Sequence, residues 1–375
     1  MGNFEIKRTF MHRMKEILGK KYDFRFNVVK SYVEYSLKSK NFWNPLIKDG
    51  QLFVDLCEIE ESNRFNSTSI SKLLDSEFVK EYHPFKEYYK GLGEWDGQDY
   101  IKDYCSYVGA VDSEDFYTQF KKWLVRAVKT AIDPKYFNKQ AFIIVNPKQN
   151  TGKTSWCRFL VPLSLSEYIT EHFEASKDGR IAMCRNLLVN LDELEEWNRK
   201  DISLFKSALS AENINERLPY ARNASFLVRT CSFIGSTNQK DFINDETGSV
   251  RWLCFDVKSI NFNYRKNCQI DKVWQQAYHL SQSTDFDYEM TVEELEKNEI
   301  RNRNFEKISM EAELINKYYE QGDKVFKTAT DILCHIKNKE NIVLAPVHIG
   351  RALHKLGIER SRYKGIFGYW LTNKG

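Results

Sequence analysis

Short, strongly apolar runs alternate with helical segments in the middle of the chain, and this rhythm constrains the fold more than any other feature. The runs occupy residues 142–145, 187–191 and 231–235. Runs of this length that are apolar throughout are typical of strands buried on both faces of a parallel sheet. Because helical segments separate the runs, the pattern predicts an α/β fold in which helices flank a parallel sheet.

Pattern changes along the chain predict three parts. Residues 1–85 mix helical and extended runs, which predicts an N-terminal α+β accessory region. Residues 86–310 contain the alternating apolar runs. This large part is expected to comprise a helical lead-in at 86–138, a sheet-containing core at 139–260 and a helical end at 261–310.

The last part, residues 311–375, predicts a small winged-helix-like domain. Helical patterns cover 329–339 and 346–356, and a glycine-punctuated aromatic stretch at 363–371 predicts a β-hairpin. The whole chain has a net charge of +4, whereas residues 321–375 alone carry ten basic and four acidic residues. A basic tail on a weakly acidic body indicates an anionic partner, with nucleic acid the first candidate. The alternative is that surplus basic residues only keep a small domain soluble.

Composition excludes several classes of protein. Hydrophobic residues make up 42% and aromatic residues 14% of the chain, too many for a disordered polyelectrolyte. No apolar run approaches the roughly 20 residues that a membrane-spanning helix needs, and the first residues carry neither a signal-peptide nor a myristoylation pattern. No two of the eight cysteines lie closer than 14 positions, which excludes the usual local zinc and redox spacings. We therefore expect a cytoplasmic protein with reduced thiols and no membrane partner.

The most specific motif is the segment PKQNTGKT at residues 147–154, between an apolar run and a helical pattern. A loop that binds nucleotide phosphates needs successive backbone amides at a helix start, an ammonium group and a hydroxyl group that holds Mg²⁺. Lys153 and Thr154 would supply the last two groups, with ATP and Mg²⁺ as the ligands. Pro147 replaces the first glycine of G-x-x-x-x-G-K-[ST], so the loop entry is expected to differ. The alternative is a chance Gly-Lys-Thr at a helix start. The expected nucleotide contacts are Gln149, Asn150, Thr151, Gly152, Lys153, Thr154 and Ser155.

Polar side chains also follow the second and third apolar runs. Asp192 and Glu193 come directly after residues 187–191. A carboxylate at the end of a strand beside the phosphate loop is placed to hold Mg²⁺, and its neighbour can polarise the attacking water. Asn238, after the third run, would hold that water or sense the γ-phosphate. The alternatives are a solvated strand end for the two acids and a turn-forming role for the asparagine.

Taken together, these motifs resemble the virulence-associated E family. Its members are AAA+-like ATPases, related to the superfamily-3 helicases, that phages, satellites and integrated mobile elements encode. The resemblance covers about residues 80–310. The motifs that carry it are NTGKT at 150–154, LDE at 191–193, Arg217 with YAR at 220–222, FIGSTN at 233–238 and DETGSVRW at 245–252.

The resemblance implies roles for these residues. Lys153 and Thr154 would form the Walker A motif, Asp192 and Glu193 the Walker B motif, and Asn238 the sensor-1 position. The resemblance also implies an AAA+-like P-loop NTPase core.

The resemblance further implies an arginine finger supplied by a neighbouring subunit. Family members typically carry two arginines after Thr-Gly-Ser, but here Val250 takes the first position and only Arg251 remains. Arg251 would therefore act alone. The alternative is that it pairs with an internal carboxylate such as Asp245 or Asp256.

Two regions are expected to contact DNA. Superfamily-3 relatives place a hairpin between Walker B and sensor 1 that grips single-stranded DNA in a central channel, where cations meet phosphates and an aromatic ring stacks on bases. The alternative is a solvated loop whose tyrosine packs on the core. The basic tail would bind duplex DNA. The residues in question are Lys206, Arg217, Tyr220, Arg222 and Arg229 in the hairpin region, and Arg351, Lys355, Arg360, Arg362 and Lys364 in the tail.

The sequence thus predicts a Mg²⁺-ATP-dependent DNA helicase or translocase that forms a homo-oligomeric ring, a hexamer, and acts in replication of a phage or mobile element. It would work in the cytoplasm of a bacterial or phage-infected cell. The alternative is a nucleotide-dependent DNA-binding switch or assembly factor, for instance in phage interference, that does not unwind DNA. The intact Lys153, Asp192 and Glu193 disfavour a third option, a DNA-binding scaffold with an inactive ATPase.

Overall fold

The computed structural model divides the chain into two compact units. The first comprises Met1–Lys240 and Asp245–Asn302, and the second Asp241–Asn244 and Arg303–Gly375. No helix among the described residues is long and apolar enough to span a membrane. The structure describes residues 10–40, 42–60, 66–171, 173–174, 176–192, 194, 199–211, 213–216, 225–243, 250–340, 342 and 344–374.

The first unit opens with an α+β region, in agreement with the sequence. Its four-stranded sheet has the order β3-β2-β1-β4, with β1 antiparallel to β2 and parallel to β4. This region is not a separate unit, because the buried Asn27 at the end of β1 donates a hydrogen bond to the Tyr168 hydroxyl of the following core (2.7 Å). Its elements are α1 (Phe10–Lys21), β1 (Tyr22–Asn27), β2 (Tyr32–Leu37), β3 (Asn44–Pro45), α2 (Gly50–Glu60), α3 (Ser67–Leu74) and β4 (Lys80–Tyr82).

The rest of the first unit alternates strands and helices. Helices α4 (Pro84–Gly91) and α5 (Tyr100–Ser106) lead into it. The elements that follow are β5 (Val108–Ala110), α6 (Ser113–Ile132), β6 (Ala141–Val145), α7 (Lys153–Phe159), a 3₁₀ helix (Leu163–Tyr168), β7 (Ile169–Thr170), α8 (Lys177–Arg185), β8 (Leu188–Leu191), α9 (Arg199–Leu209), β9 (Asn213–Glu216), β10 (Ser225–Val228), β11 (Ser232–Thr237), β12 (Trp252–Ile260), α10 (Tyr264–Asn267), α11 (Ile270–Gln282) and α12 (Val292–Asn302).

A six-stranded sheet forms the centre of this unit, with the order β5-β12-β6-β11-β8-β7. Strands β12, β6, β11, β8 and β7 are parallel, and β5 is antiparallel at the edge. Every residue of β6, β8 and β11 is buried. The three apolar runs are therefore strands of one parallel sheet, and the predicted α/β fold is confirmed.

The register brings the carboxyl ends of the three buried strands to one edge of the sheet. Thr237 of β11 lies opposite Val145 of β6, and Gly235 of β11 lies opposite Leu191 of β8. Ligands of open α/β sheets bind outside this edge. The polar residues that follow the three strands therefore meet in space although 38 to 85 positions separate them along the chain.

Aromatic packing fixes α6 against the sheet. The rings of Phe116, Phe120 and Trp123 on α6 lie 5.1 to 5.8 Å from the ring of Phe142 on β6. Edge-on contacts of this kind add to the free energy of burying apolar area. Asp112 caps the start of α6, because its side chain accepts a hydrogen bond from the Asp115 amide (3.0 Å).

The second unit is a small α+β module. Its strands form an antiparallel sheet of order β13-β15-β14, and the Thr328 side chain caps α14. The turn between β14 and β15 has Lys364 at φ +48° and Gly365 at φ +82°, as a tight hairpin requires. Its elements are a 3₁₀ helix (Arg303–Phe305), α13 (Met310–Tyr318), β13 (Tyr319–Lys327), α14 (Ala329–Lys339), α15 (Pro346–Lys355), β14 (Ser361–Tyr363) and β15 (Ile366–Asn373).

The two helices and the hairpin predicted for this unit are confirmed, but β13 was not predicted. Its sequence, YEQGDKVFK, is polar and lacks alternation, and its pairing with β15 shifts register between Gln321 and Val325. The unit also starts at Arg303 instead of after residue 310. The reason is a long-range pairing, in which the Ile243 amide donates to the Phe305 carbonyl (2.9 Å).

His83 caps the start of α4. Its imidazole accepts a hydrogen bond from the Lys86 amide (3.5 Å), and Pro84 occupies the first helical position. Burial, reinforced by the nearby Lys86 charge, lowers the pKa of His83 to about 4. The imidazole thus stays neutral in the folded state, and it must be neutral to accept this bond.

We predict that His83 makes the folded state less stable in mild acid. The unfolded chain binds a proton below pH 6.5, whereas the folded chain binds one only near pH 4. The free energy of unfolding therefore decreases as the pH falls from about 6.5 towards 4, by about 1–2 kcal/mol after allowance for partial exposure of the imidazole. His83→Asn keeps a neutral cap and should remove this part of the loss. Urea unfolding of both proteins at pH 7 and pH 4.5 measures the difference; equal losses would contradict the assignment.

Candidate functional site

The loop between β6 and α7 has the backbone that the GKT motif predicts. Gly152 adopts φ +86° directly before α7, a left-handed conformation that glycine adopts without strain. A side chain here would also collide with the Phe262 ring, because an added Cβ would lie 2.6 Å from it. The backbone therefore requires glycine at this position, and a larger residue would also have to displace the Phe262 ring.

Asn146 anchors the loop entry, where Pro147 departs from the usual pattern. The Asn146 side chain accepts a hydrogen bond from the Lys148 amide (2.9 Å) and donates one to the Lys258 carbonyl on β12 (3.3 Å). The Asn146 amide donates to the Thr237 carbonyl (3.2 Å). An asparagine before the proline thus holds the loop by local side-chain bonds. Sequence analysis missed Asn146, although an Asn-Pro pair at a strand end is a turn signal.

The Lys153 ammonium group is buried inside the loop. It donates to the carbonyls of Asn146 (3.0 Å) and Lys148 (2.9 Å). It also donates to the Thr151 hydroxyl (3.3 Å) and, across the sheet edge, to the Asn238 side-chain oxygen (2.7 Å). The structure therefore joins the Lys153 side chain, at the start of α7, directly to the Asn238 side chain, which follows β11.

A second group of oxygens lies beside this ammonium. The Thr154 hydroxyl lies 3.4 Å from an Asp192 carboxylate oxygen and 3.2 Å from the Ser236 hydroxyl. Hydroxyl and carboxylate oxygens are the ligands that Mg²⁺ prefers, and Mg²⁺ sites commonly use one or two carboxylates with water and substrate phosphates. No cluster of three or more His, Cys, Asp or Glu side chains suited to a metal occurs among the residues that the structure describes. The donor set fits magnesium.

One cavity of about 450 Å³ contains all of these groups. Most of its lining residues are among the predicted nucleotide contacts, whereas Ser236, Thr237 and Phe262 are not. The first two are polar strand-end residues next to Asn238, whereas nothing in the local sequence marks Phe262. The lining residues are Gln149, Asn150, Thr151, Gly152, Lys153, Thr154, Ser155, Asp192, Ser236, Thr237, Asn238 and Phe262. Glu193 lies outside the described residues.

Arg251 lies away from this cavity. It directly precedes β12, and its carbonyl accepts a hydrogen bond from the Ala141 amide at the start of β6 (2.9 Å). The cavity is at the other end of β6, roughly 15 Å away at about 3.3 Å per residue. The Arg251 guanidinium donates to the Ser210 hydroxyl (3.2 Å), and Asp256 pairs instead with Lys240 (3.1 Å).

The expected hairpin between Asp192 and Asn238 exists. Strands β9 and β10 pair as an antiparallel two-stranded sheet. Lys206, on the preceding helix α9, is half-buried. Three of the predicted DNA contacts, Arg217, Tyr220 and Arg222, lie outside the described residues.

The prediction that Arg229 contacts DNA is wrong. Its side chain is fully buried, and burial lowers the pKa of its guanidinium. The guanidinium donates to three backbone carbonyls, those of Cys231 (3.1 Å), Leu209 (2.9 Å) and Asn138 (2.8 Å). All of these bonds hold chain segments together, so no donor is presented to a strand of DNA.

The basic residues of the second unit are on its surface. Arg360, Arg362 and Lys364 are exposed along the β14–β15 hairpin, and the Arg360 guanidinium lies 4.6 Å from the Phe367 ring centroid. Arg351 is exposed on α15. The side chain of Lys355 is outside the described part of the chain.

Comparison with known proteins gives a family match. The sequence model of the virulence-associated protein E-like domain matches residues 90–307, which include every residue that lines the cavity. The chain belongs to the virulence-associated protein E-like family. The match starts after the N-terminal sheet of this family member and ends before α13.

Solved structures resemble this VapE-like chain in fold. The apo structure of the C-terminal region of NrS-1 has 13% sequence identity and a TM-score of 0.51, and the alignment covers 97% of this chain and 99% of that one. The A-form apo structure of the same region has 12% identity and a TM-score of 0.50, covering 96% and 99%. No curated protein matches the chain. The similarity therefore extends across the fold and does not define an activity.

We predict that Arg229→Ala destabilises the fold because it removes a side chain that pairs three buried carbonyls. The loss in free energy of unfolding should be about 3 kcal/mol or more. Arg360→Ala, at an exposed position, should change it by no more than about 0.5 kcal/mol. Urea denaturation measures both. A stable Arg229→Ala protein with weakened DNA binding would instead restore the interpretation as a DNA contact.

Proposed function

We propose that the chain is a Mg²⁺-ATP-dependent DNA helicase or translocase that acts in replication of a phage or mobile element. The observation that carries this proposal is the meeting of Lys153, Thr154, Asp192 and Asn238 in one cavity. Their side chains come from two strand ends and the start of one helix, and the volume of about 450 Å³ is within the range typical of ligand sites. Membership of the VapE-like family supports the same reading.

In this proposal the β6–α7 loop is a P-loop. Its backbone amides and the Lys153 ammonium bind the β- and γ-phosphates. The oxygens that now surround Lys153 belong to Asn146, Lys148, Thr151 and Asn238, and they hold the ammonium inside the loop, directed at the cavity. Phosphate oxygens would take over part of this coordination without moving the lysine far.

Thr154 and Asp192 would hold Mg²⁺, which neutralises charge on the phosphates. Ser236 lies close enough to the Thr154 hydroxyl to orient it. Glu193 would accept the proton of the attacking water, and Asn238 would position that water beside Lys153.

Arg251 would complete the site of a neighbouring copy. Since it lies at the opposite end of the strands from its own cavity, it reaches a nucleotide only if a second chain packs there. A head-to-tail contact of this kind generates a closed ring when the rotation closes. We propose a hexameric ring in which Arg251 neutralises charge on the transferred phosphoryl group.

DNA would contact two hairpins. The β9–β10 hairpin would project into the ring and hold a single strand. The second unit, read as a winged helix, would bind duplex DNA through Arg360, Arg362 and Lys364, with Phe367 beside them. Exposed cations interleaved with aromatic rings are suited to phosphates and bases.

We predict that Lys153→Ala abolishes ATP turnover, because the ammonium that binds the β- and γ-phosphates is lost. Lys148→Ala is the matched control, since Lys148 lies in the same loop with an exposed side chain. It should retain turnover within about twofold, as expected for a surface substitution. Phosphate release from ATP measures both, and parental turnover by Lys153→Ala would refute the P-loop assignment.

We predict that mixing two inactive variants with complementary defects restores part of the ATP turnover. Lys153→Ala and Arg251→Ala proteins should each be inactive, since each lacks one half of the shared site. In a random one-to-one mixture, about a quarter of the interfaces unite an intact loop with an intact arginine, so about a quarter of parental turnover should return. A mixture as inactive as its components would exclude action of Arg251 in a neighbouring subunit.

The alternative function is a nucleotide-dependent DNA-binding switch without unwinding. It is favoured by the assignment of the basic hairpin and the cavity to different compact units. A forked DNA substrate distinguishes the two functions. ATP-dependent strand displacement supports the motor, whereas ATP hydrolysis without displacement supports the switch.

A further inference from the structure

Phe262 is the one apolar side chain among the described residues that line the cavity. Its ring contacts Gly152 of the phosphate loop, yet 47% of the residue is exposed. The ring centroid of Phe262 lies 6.5 Å from that of Tyr264, which packs more closely against Phe159 with ring centroids 5.0 Å apart. An exposed aromatic ring at the mouth of a polar cavity is available to a ligand with an apolar face.

The backbone around Phe262 is firmly held. The Asn261 amide donates to the Tyr107 carbonyl (2.8 Å), and the Arg265 amide donates to the Phe262 carbonyl (3.1 Å). The next residue but one, Tyr264, is fully buried. The ring therefore projects from a fixed turn that directly follows β12, and its exposure does not result from a loosely attached loop.

We propose that Phe262 binds the nucleobase of the nucleotide by stacking, an inference that rests on the proposed function. Lys153, Thr154 and Asp192 attract the charged end of a nucleotide, and Phe262 offers a flat apolar surface within the same cavity. Aromatic side chains stack on bases regardless of sequence, because every base has a π-face. The Arg265 guanidinium lies 5.4 Å from the ring centroid and adds a cation to this surface.

The test compares two ligands that share the phosphates but not the base. Isothermal calorimetry in Mg²⁺ would measure binding of ATP, as a non-hydrolysable analogue, and of inorganic tripolyphosphate to the parent protein, Phe262→Ala and Phe262→Tyr. Phe262→Ala should weaken ATP about 10- to 100-fold, as loss of one stacked base predicts. It should leave tripolyphosphate unchanged, and Phe262→Tyr should bind both like the parent. Phe53→Ala, which alters an exposed phenylalanine on α2 that does not line the cavity, is the matched control and should bind both ligands like the parent.

Two results would overturn the inference while the proposed function stands. Equal weakening of both ligands by Phe262→Ala would mean that the ring only shapes the loop at Gly152. Unchanged binding of both would mean that the ring does not touch the nucleotide. If the parent protein binds neither ligand, the P-loop assignment fails and the stacking proposal fails with it. Lys153→Ala tests the phosphate-binding end of the site separately from Phe262, because it should weaken the binding of ATP and of tripolyphosphate to the same extent.

Discussion

The carboxyl ends of three adjacent parallel strands meet at one edge of a sheet, and the site depends on that constraint. Strands β6, β8 and β11 are buried along their whole length. A shift in their register would disrupt the packing of their apolar side chains and would also displace the strand ends that form the site, so burial fixes the register. Because the register is fixed, the Lys153 ammonium meets the Asn238 side chain, and the Thr154 hydroxyl meets Asp192 and Ser236. The core that stabilises the fold also sets the geometry of the cavity.

The same sheet separates the two groups of residues to which we assign the proposed function. Its carboxyl edge holds the cavity, whereas Arg251 sits at the amino edge, where strand β12 begins. The two ends of the parallel strands therefore differ. In the proposed function, the carboxyl end would bind the chain's own nucleotide, and the amino end would contact the nucleotide of a neighbouring subunit. This polarity makes a head-to-tail ring a natural assembly for the proposed function.

Arg229 and Phe262 show where sequence reasoning failed. An arginine among basic and aromatic neighbours predicts a nucleic-acid contact. Arg229 instead donates hydrogen bonds to three backbone carbonyls in the interior. Only tertiary packing decides whether a guanidinium contacts protein or solvent. Phe262 follows a strand in a segment without a motif, and its position beside Gly152 results from the pairing of β12 with β6. Likewise, the sequence of β13 lacks an alternation of apolar and polar residues, and this segment forms a strand because it pairs with β15.

The sequence by itself determined the α/β class, the buried strands, the helices and hairpin of the second unit, and the loop residues of the cavity. These features depend on local periodicity, glycine backbone requirements and motif chemistry, which neighbouring residues along the chain carry. Only the tertiary structure decided that Asn146 ties the loop to β12, that Arg229 is interior, that Phe262 lines the cavity and that Arg251 faces away from it. Each of those outcomes depends on which distant strands pair, and pairing is set by the packing of the whole core.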